Sequence, residues 1–331
     1  MRIGLAGVGR IGAFHASTLA ELDEIDQVVV ADHFPDPARA LADKEGYGFA
    51  ADVDELLGQV DGLVVATSTP GHAPLVRAGV AAGVPTFCEK PVAATLEETL
   101  ELAALVEASS VPVHVGFQRR FDAGYQRVRA AVESGELGFV HTIRAQTHDQ
   151  APPAAEYLPT SGGILRDCSI HDFDIIRFVT GREVVSAYAV GANKGADFFT
   201  AAGDVDTAAV LLTLDDGTLA TVTATRYNGG GHDVRMEVMG SDGTLGVGYD
   251  DSLALVSAEP GATYPAGPQK WSFMERFLPA YRTELAAFCD VVAGRTPSPC
   301  TVDDALAAFR IADAAEQSRL SGLPVRLDAQ V

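Results

Sequence analysis

In the first third of the chain, short apolar runs alternate with longer stretches in which apolar residues recur every three or four positions. The runs have the length of strands, and the stretches between them have the period of helices. Strict alternation of strands and helices is typical of a parallel sheet that is covered on both faces. We therefore expect residues 1–117 to form an α/β Rossmann domain with a doubly wound parallel sheet. The apolar runs include Arg2–Ala6, Gln27–Ala31, Gly62–Thr67, Thr86–Cys88 and Val111–Phe117.

The pattern changes after Phe117, where apolar and polar residues alternate at period two in several segments. Strands at this spacing, two of them followed by Asp-Gly turns, predict a large, mostly antiparallel, open sheet. We therefore expect residues 118–331 to form a second, α+β domain. The alternating segments are Val140–Thr147, Val184–Ala192, Thr207–Leu214, Leu219–Arg226 and Val234–Met239.

The predicted second domain has too few helices to cover both faces of its sheet. The uncovered face is either a solvated polar face or a surface that pairs with another subunit. We favour the second interpretation and expect a homodimer or homotetramer formed through this sheet.

A glycine-rich turn, Gly7-Val8-Gly9-Arg10-Ile11-Gly12, joins the first strand to the first helix. In a dinucleotide-binding unit, Gly7 permits the tight turn, Gly9 lets the backbone approach the pyrophosphate, and Gly12 allows close helix packing. The helix N-terminus, which starts with Arg10-Ile11, faces the phosphate charge. Because strand, turn, helix and second strand follow in the required order, the pattern predicts a dinucleotide site rather than an ordinary glycine turn.

The second strand ends on Asp32, about 20 residues after the last glycine. A carboxylate at this position accepts hydrogen bonds from the adenosine ribose hydroxyls. The same charge repels a 2′-phosphate, so NAD is favoured over NADP, although His33 and Arg39 leave some room for NADP. The residues at the end of the strand Gly62–Thr67 are expected to line the same cofactor cleft: Thr67, Ser68 and His72.

The composition argues against two classes of partner. The 331 residues carry a formal net charge of −21, which disfavours nucleic acid and anionic membranes. We find no apolar stretch long enough to span a bilayer and expect no signal peptide before the first strand. The four cysteines contain no C-x-x-C pair and are interpreted as reduced thiols. We therefore expect a cytoplasmic protein that binds neither nucleic acid nor a membrane.

The first candidate for chemistry is Glu89-Lys90-Pro91, which directly follows the strand Thr86–Cys88. Ligands of open α/β sheets bind at the carboxyl ends of strands, so Glu89 and Lys90 are expected beside the cofactor. A lysine near a nicotinamide can hydrogen-bond the reacting oxygen and stabilise developing alkoxide charge. Most lysines lie on the surface without such a role, but the position favours function here.

The second candidate is the segment Gly162–Asp174, which we interpret as a helix from Asp167 onward. Asp167, His171 and Asp174 then stand at i, i+4 and i+7 on one face. A histidine with a carboxylate one turn away is suited to proton transfer. One alternative is a helix cap at Asp167 with a solvated His171. Another is a Zn, Mn or Fe site, but a dinucleotide already supplies hydride chemistry, so no metal is expected.

Two further histidines lie at positions from which a substrate can be reached. His148 ends a strand before a proline-rich loop, and His232 follows three glycines.

With these motifs in view, the chain resembles the glucose-fructose oxidoreductase / inositol dehydrogenase (Gfo/Idh/MocA) family of NAD(P)-dependent oxidoreductases over nearly its full length. The resemblance is greatest to the myo-inositol 2-dehydrogenase branch. It implies a catalytic set of Lys90, Asp167 and His171, and a second-domain sheet that mediates dimer or tetramer formation. The motifs that carry it are the glycine turn, Glu89-Lys90-Pro91, Gly116–Asp122 and Gly162–Asp174.

The resemblance also implies residues around the substrate. Gln118 and Arg119 would lie near the substrate and nicotinamide, and His148 and Tyr281 would border the polyol. Asp149-Gln150 follows His148, where inositol dehydrogenases often carry an asparagine, and three glycines stand where some relatives carry a tyrosine.

We therefore expect an NAD-dependent dehydrogenase that oxidises a secondary hydroxyl of a cyclic polyol, in the first place myo-inositol. In this hypothesis His171 removes the hydroxyl proton, Lys90 stabilises charge on the oxygen, and Asp167 binds a neighbouring hydroxyl and holds His171. The alternatives are a dehydrogenase of another sugar or amino-cyclitol, a dinucleotide-binding sensor without turnover, and a metal-dependent lyase or hydrolase.

Overall fold

The computed structural model describes residues 1–250, 253, 255, 257–262 and 270–327. The remaining residues all belong to the predicted second domain and lie outside the described part of the chain. The described residues divide into two compact units, Met1–Gln118 with Tyr281–Leu306, and Arg119–Ala280 with Ala307–Val331. Among the helices of the described residues, none is both long enough and apolar enough to cross a bilayer.

Strands and helices alternate through the first unit, as the periodicity predicts. All six strands are parallel, in the order β3-β2-β1-β4-β5-β6. This is the doubly wound arrangement, in which chain order reverses between β1 and β4 and opens a crevice at the carboxyl ends of the strands. The elements are β1 (Arg2–Ala6), α1 (Arg10–Ala20), β2 (Gln27–Ala31), α2 (Pro35–Glu45), β3 (Gly48–Phe49), α3 (Val53–Leu57), β4 (Gly62–Val65), α4 (His72–Ala82), β5 (Thr86–Glu89), α5 (Leu96–Glu107) and β6 (Val113–Gly116).

The strands of this sheet are buried on both faces because helices cover each side. Every residue of β4, β5 and β6 is buried, which explains why their sequences are continuous apolar runs rather than alternating ones. Helix boundaries follow local capping chemistry. Thr95 accepts a hydrogen bond from the Glu98 amide at the start of α5, and α2 ends at Gly46 in the left-handed conformation.

The second unit is built on a seven-stranded sheet in the order β12-β11-β7-β10-β9-β8-β13. Only the β7–β10 pair is parallel, and the other neighbours are antiparallel. The predicted fold class is therefore confirmed. The elements are α6 (Ala123–Glu133), β7 (Val140–His148), α7 (Leu158–Ser161), α8 (Ile164–Asp167), α9 (Ile170–Thr180), β8 (Val184–Ala192), α10 (Phe198–Ala201), β9 (Thr207–Leu214), β10 (Leu219–Thr225), β11 (Asp233–Gly240), β12 (Thr244–Val247) and β13 (Val325–Arg326).

One face of this sheet is packed and the other is open, as the period-two alternation requires. In β9 the residues Ala208, Val210 and Leu212 are buried, whereas Ala209 and Leu211 between them are exposed. Helices α6, α8 and α9 contact the sheet.

The C-terminal part of the chain departs from the simple two-domain division predicted from the sequence. Two long helices, α11 (Phe273–Val292) and α12 (Val302–Ser321), each contribute residues to both units. Leu285 and Phe288 of α11 pack in the core of the first unit with Ile3 and Leu5 of β1. The pattern of α11 predicts an apolar face, but nothing local in the sequence says which sheet receives that face.

Candidate active site

The turn between β1 and α1 has the geometry that a dinucleotide requires. Gly7 has a φ of +97°, and a Cβ there would lie 2.7 Å from the Thr67 backbone nitrogen. A Cβ on Gly12 would overlap the Gly7 carbonyl oxygen. By contrast, a Cβ on Gly9 would meet nothing within 4 Å. Two of the glycines are therefore required by the fold itself, while Gly9 keeps space open beside the turn.

The N-terminus of α1 is suited to an anion. The helix begins at Arg10-Ile11, no side chain caps it at Gly9, and its first turn contains no acidic residue. The amides of the first turn and the positive end of the helix dipole thus face the space beside Gly9. Room for a pyrophosphate and donors directed toward it are both present, so these residues fit NAD.

Asp32 lies directly after β2 and orders the glycine turn. One carboxylate oxygen accepts a hydrogen bond from the Val8 amide at 2.8 Å, and the other accepts from the Phe34 amide at 3.0 Å. Its negative charge therefore lies beside the turn, where a 2′-phosphate would be repelled. The Arg39 guanidinium stacks 4.1 Å from the centre of the Phe49 ring.

The loop after β4 contains three predicted cofactor residues. Thr67 donates from its hydroxyl to the Ser68 carbonyl at 3.2 Å, which shapes the start of the loop. His72 is buried, and its ring nitrogens contact the carbonyl oxygens of Pro91 at 2.7 Å and Thr67 at 3.0 Å. His72 therefore joins the loops that follow β4 and β5, and both of its ring nitrogens are engaged in these contacts.

A buried pair of side chains supports the turn that carries Lys90. The Glu89 carboxylate contacts His15 Nε2 of α1 at 2.6 Å, and its second oxygen accepts from the Lys90 amide at 3.3 Å. His15 is enclosed by the rings of Phe87 and Tyr281. Glu89 thus anchors the backbone of Lys90, while the Lys90 side chain is half-buried.

In the second unit, buried ion pairs join Arg119 and Arg120 to α9, the helix that contains His171. The Arg119 guanidinium donates to Asp172 at 2.6 Å and to the Thr147 hydroxyl at 2.7 Å. The Arg120 guanidinium contacts both carboxylate oxygens of Asp174 at 2.5 and 2.9 Å. The arginines of this motif therefore hold α9, and this geometry does not support the substrate role predicted for Arg119.

The prediction of one continuous helix from Asp167 is wrong. Helix α8 ends at Asp167 and α9 begins at Ile170, because the amides of Cys168 and Ser169 both bond to the Ile164 carbonyl. The prediction that Asp167, His171 and Asp174 share one face of a single helix therefore does not hold. Asp174 is buried against Arg120, so it is not available as a third ligand of the metal alternative. Within the described ranges, no group of three or more acidic, histidine or cysteine side chains is arranged to hold a metal ion.

Asp167 belongs to a polar network that the sequence patterns did not reveal. One oxygen accepts from the Tyr157 hydroxyl at 3.0 Å, and the other accepts from the Arg226 guanidinium at 2.6 Å. Arg226 also donates to Asp149 at 2.8 Å. Burial and the neighbouring Asp167 carboxylate raise the pKa of Tyr157 above its ordinary value, so its hydroxyl stays a donor. His171 is the second residue of α9 and is half-buried.

The other predicted substrate residues have different environments. His148 lies at the end of β7, with Nε2 3.1 Å from the Thr223 hydroxyl, and burial lowers its pKa below the ordinary value. His232 Nδ1 lies 3.4 Å from Asp149. In the first unit, Gln118 is buried at the start of a 3₁₀ turn, and Tyr281 packs on Phe14 with ring centres 5.2 Å apart.

Comparison with known proteins places the chain in a family. Residues 1–117 match the family described as "Oxidoreductase family, NAD-binding Rossmann fold", and residues 125–246 match the GFO/IDH/MocA C-terminal domain. Myo-inositol dehydrogenase Hyg17 of Streptomyces leeuwenhoekii is 40% identical over 97% of this chain and 98% of its own.

Two solved structures extend this similarity to the fold. A myo-inositol dehydrogenase from Corynebacterium glutamicum superposes with a TM-score of 0.90 at 32% identity, over 100% of this chain and 99% of its own. Scyllo-inositol dehydrogenase from Lactobacillus casei, solved with NAD(H) and scyllo-inositol, gives 0.89 at 26% identity over 98% of each chain. With an NAD-binding Rossmann domain, a matching second domain and full-length relatives, this chain belongs to the GFO/IDH/MocA family of oxidoreductases.

Proposed function

We propose that this chain is an NAD-dependent dehydrogenase that oxidises a secondary hydroxyl group of a cyclic polyol, with myo-inositol as the preferred substrate. The main support for this proposal is that the chain is similar to inositol dehydrogenases over its full length. Its glycine turn also has the geometry that NAD requires. A sensor without turnover is disfavoured because Lys90, Asp167 and His171, the catalytic set that the family resemblance implies, are all present.

The first unit would hold the cofactor. Asp32 would accept hydrogen bonds from the adenosine ribose, and the turn at Gly9 with the first amides of α1 would hold the pyrophosphate. When bound, NAD supplies the carbon that accepts hydride from the substrate.

We assign the proton and charge chemistry to three side chains. His171 takes the proton of the reacting hydroxyl, since imidazole ordinarily titrates near neutral pH. Lys90 donates a hydrogen bond to the same oxygen and stabilises its negative charge as the carbonyl forms. Asp167 accepts a hydrogen bond from a neighbouring substrate hydroxyl, which orients the ring.

The direct test is NADH formation, followed by absorbance, with a panel of polyols offered with NAD and with NADP. We expect turnover with myo-inositol and NAD, and weaker activity with NADP. The panel includes scyllo- and chiro-inositol, glucose, xylose and amino-cyclitols. Activity confined to open-chain or phosphorylated compounds would overturn the cyclic polyol assignment. Activity that requires a divalent cation and forms no NADH would favour a lyase or hydrolase.

We also propose that the open face of the second-unit sheet forms a homodimer or homotetramer. This face exposes apolar side chains on adjacent strands, since Tyr188 of β8 lies opposite Leu211 of β9 in the register. Val190 and Leu219 are also exposed, on β8 and β10. Contiguous apolar surface of this kind is typical of a contact between subunits.

The oligomer is tested by replacing Leu211 with arginine. A buried, unpaired charge at a subunit contact is strongly destabilising, so light scattering should show a smaller assembly than wild type. Leu320→Arg is the matched control, because Leu320 is exposed on α12 outside the sheet. An unchanged mass for Leu211→Arg, or a monomeric wild type, would contradict the proposed interface.

A cytoplasmic location is proposed on the basis of the thiols. All four cysteines are buried and none forms a disulfide. This is the usual state of cysteines in a reducing compartment.

A further inference from the structure

A buried arginine bridges two carboxylates in the second unit. Arg226 directly follows β10, and its side chain is only 4% exposed. One terminal nitrogen donates to Asp149 Oδ2 at 2.8 Å, and the other donates to Asp167 Oδ2 at 2.6 Å. Its Nε has no partner among the described residues, so the contacts of the guanidinium concentrate on these two carboxylates.

The network restrains Asp167 from two directions. Arg226 holds one carboxylate oxygen, and the Tyr157 hydroxyl holds the other. Asp167 is the last residue of the four-residue helix α8, and α9 begins three residues later, at Ile170. The backbone of a single helical turn restrains a side chain weakly, so the orientation of this carboxylate depends on its side-chain partners, among them Arg226 and Tyr157.

Arg226 is itself held in place by the ends of neighbouring strands. Its amide donates to the Asp206 carbonyl at 2.8 Å, and the Asp149 amide donates to the Thr225 carbonyl at 2.9 Å. Burial acts to lower the pKa of Arg226, but Cys168, Asp167 and Asp149 raise it well above its usual value. The bridge therefore consists of a permanent cation between two fixed carboxylates, and its fork geometry suits two partners at once.

We propose that Arg226 is the positioning residue for Asp167, orienting its carboxylate for the substrate through a bridge shared with Asp149. This inference rests on the proposed function, because it takes Asp167 to contact the polyol. Arg226 does not touch the reacting atoms in this account. Arg226 affects the reaction only by fixing the orientation of the Asp167 carboxylate.

Arg319 provides a control in the same unit. Its guanidinium contacts both carboxylate oxygens of Glu316 at 2.6 and 2.8 Å, and its side chain is 13% exposed. If Arg226 merely stabilises the fold, Arg319→Lys and Arg226→Lys should act alike. If Arg226 positions Asp167, only Arg226→Lys should lower the turnover of folded protein.

The test combines steady-state kinetics with a double-mutant cycle. We expect Arg226→Lys to lower kcat with the best cyclitol by roughly 10- to 100-fold, as for a group displaced by about 1 Å, without changing NAD affinity. In an Asp167→Asn background, the same substitution should have little further effect, since its target is already altered. Circular dichroism verifies folding. If Arg226→Lys does not fold, Arg226→Gln takes its place in the cycle.

The outcomes separate this inference from the proposed function. If the wild-type protein has no activity on the polyol panel, the proposed dehydrogenase function is overturned. If the wild type is active but the Arg226 and Asp167 substitutions lower kcat by independent factors, the proposed function stands and the positioning role is overturned. Equal losses of kcat in Arg226→Lys and Arg319→Lys would do the same.

Discussion

Replacing Lys90 with methionine is expected to lower kcat by about 100- to 1000-fold while NAD binding is retained, because in the proposed mechanism the lost amine stabilises charge on the reacting oxygen. Methionine has a similar length and no donor, so the change removes chemistry with little change in volume. The backbone at this position is held independently, by Glu89 from within β5 and by His72 at the Pro91 carbonyl. Calorimetric titration with NAD and NADH formation with myo-inositol measure the two quantities separately.

Lys44→Met is the control for Lys90→Met. Lys44 lies on the surface at the end of α2, paired with Glu45 at 2.6 Å, so its loss removes a charge from the same unit without touching the site. We expect wild-type turnover from this variant. Wild-type turnover from Lys90→Met would remove Lys90 from the mechanism. Loss of NAD binding in that variant would instead make Lys90 a cofactor ligand.

Replacing His171 with alanine is expected to lower kcat by about 100- to 10,000-fold, the range for loss of a positioned general base. The N-terminal half of α9 has anchors besides this side chain, because Arg119 and Arg120 bind Asp172 and Asp174 of the same helix. The variant should therefore fold and still bind NAD. Its remaining activity should rise at high pH, where hydroxide and solvent replace the missing base.

His141→Ala is the control for His171→Ala. His141 is exposed on β7 of the same unit, and its ring contacts only the Thr142 hydroxyl among the hydrogen bonds of the described residues. This variant should keep wild-type kcat at every pH. An unchanged rate in His171→Ala would assign the proton transfer to another residue.

The parts of the site that could be predicted from the sequence are those encoded by neighbouring residues. The glycine turn, Asp32 and Lys90-Pro91 each follow a strand directly, so strand order alone brings them to one edge of the sheet. The period-two alternation likewise predicted the open sheet of the second unit. In these regions local chemistry and global topology agree.

The residues that were missed or misread depend on contacts between distant segments. Arg226 lies 59 positions from Asp167, and in the sequence it is only the last polar residue of an alternating segment. The predicted helix face at Asp167 failed because the regular helical hydrogen bonding is interrupted at Cys168 and Ser169, where the Ser169 amide bonds to the Ile164 carbonyl five residues before it. Arg119 looked like a substrate ligand, yet the structure pairs it with a carboxylate 53 positions away.

The arginine motif at Gly116–Asp122 illustrates the general difficulty. Charged residues in a family motif suggest ligand binding, but here they make ion pairs and a helix cap within the second unit. Arg119 and Arg120 hold α9, and Asp122 caps α6 by accepting from the Gly124 amide at 2.9 Å. A sequence motif shows that its charged residues have a role. Only their partners in the structure show whether that role is a structural ion pair or ligand binding.

In the proposed mechanism, Lys90 and His171 act on one substrate oxygen. A crystal structure of this protein with NAD and myo-inositol tests this directly. We expect the Lys90 amine and a His171 ring nitrogen both to lie at hydrogen-bonding distance, about 2.7–3.2 Å, from a single inositol hydroxyl. A bound inositol whose reacting hydroxyl contacts neither side chain would contradict it.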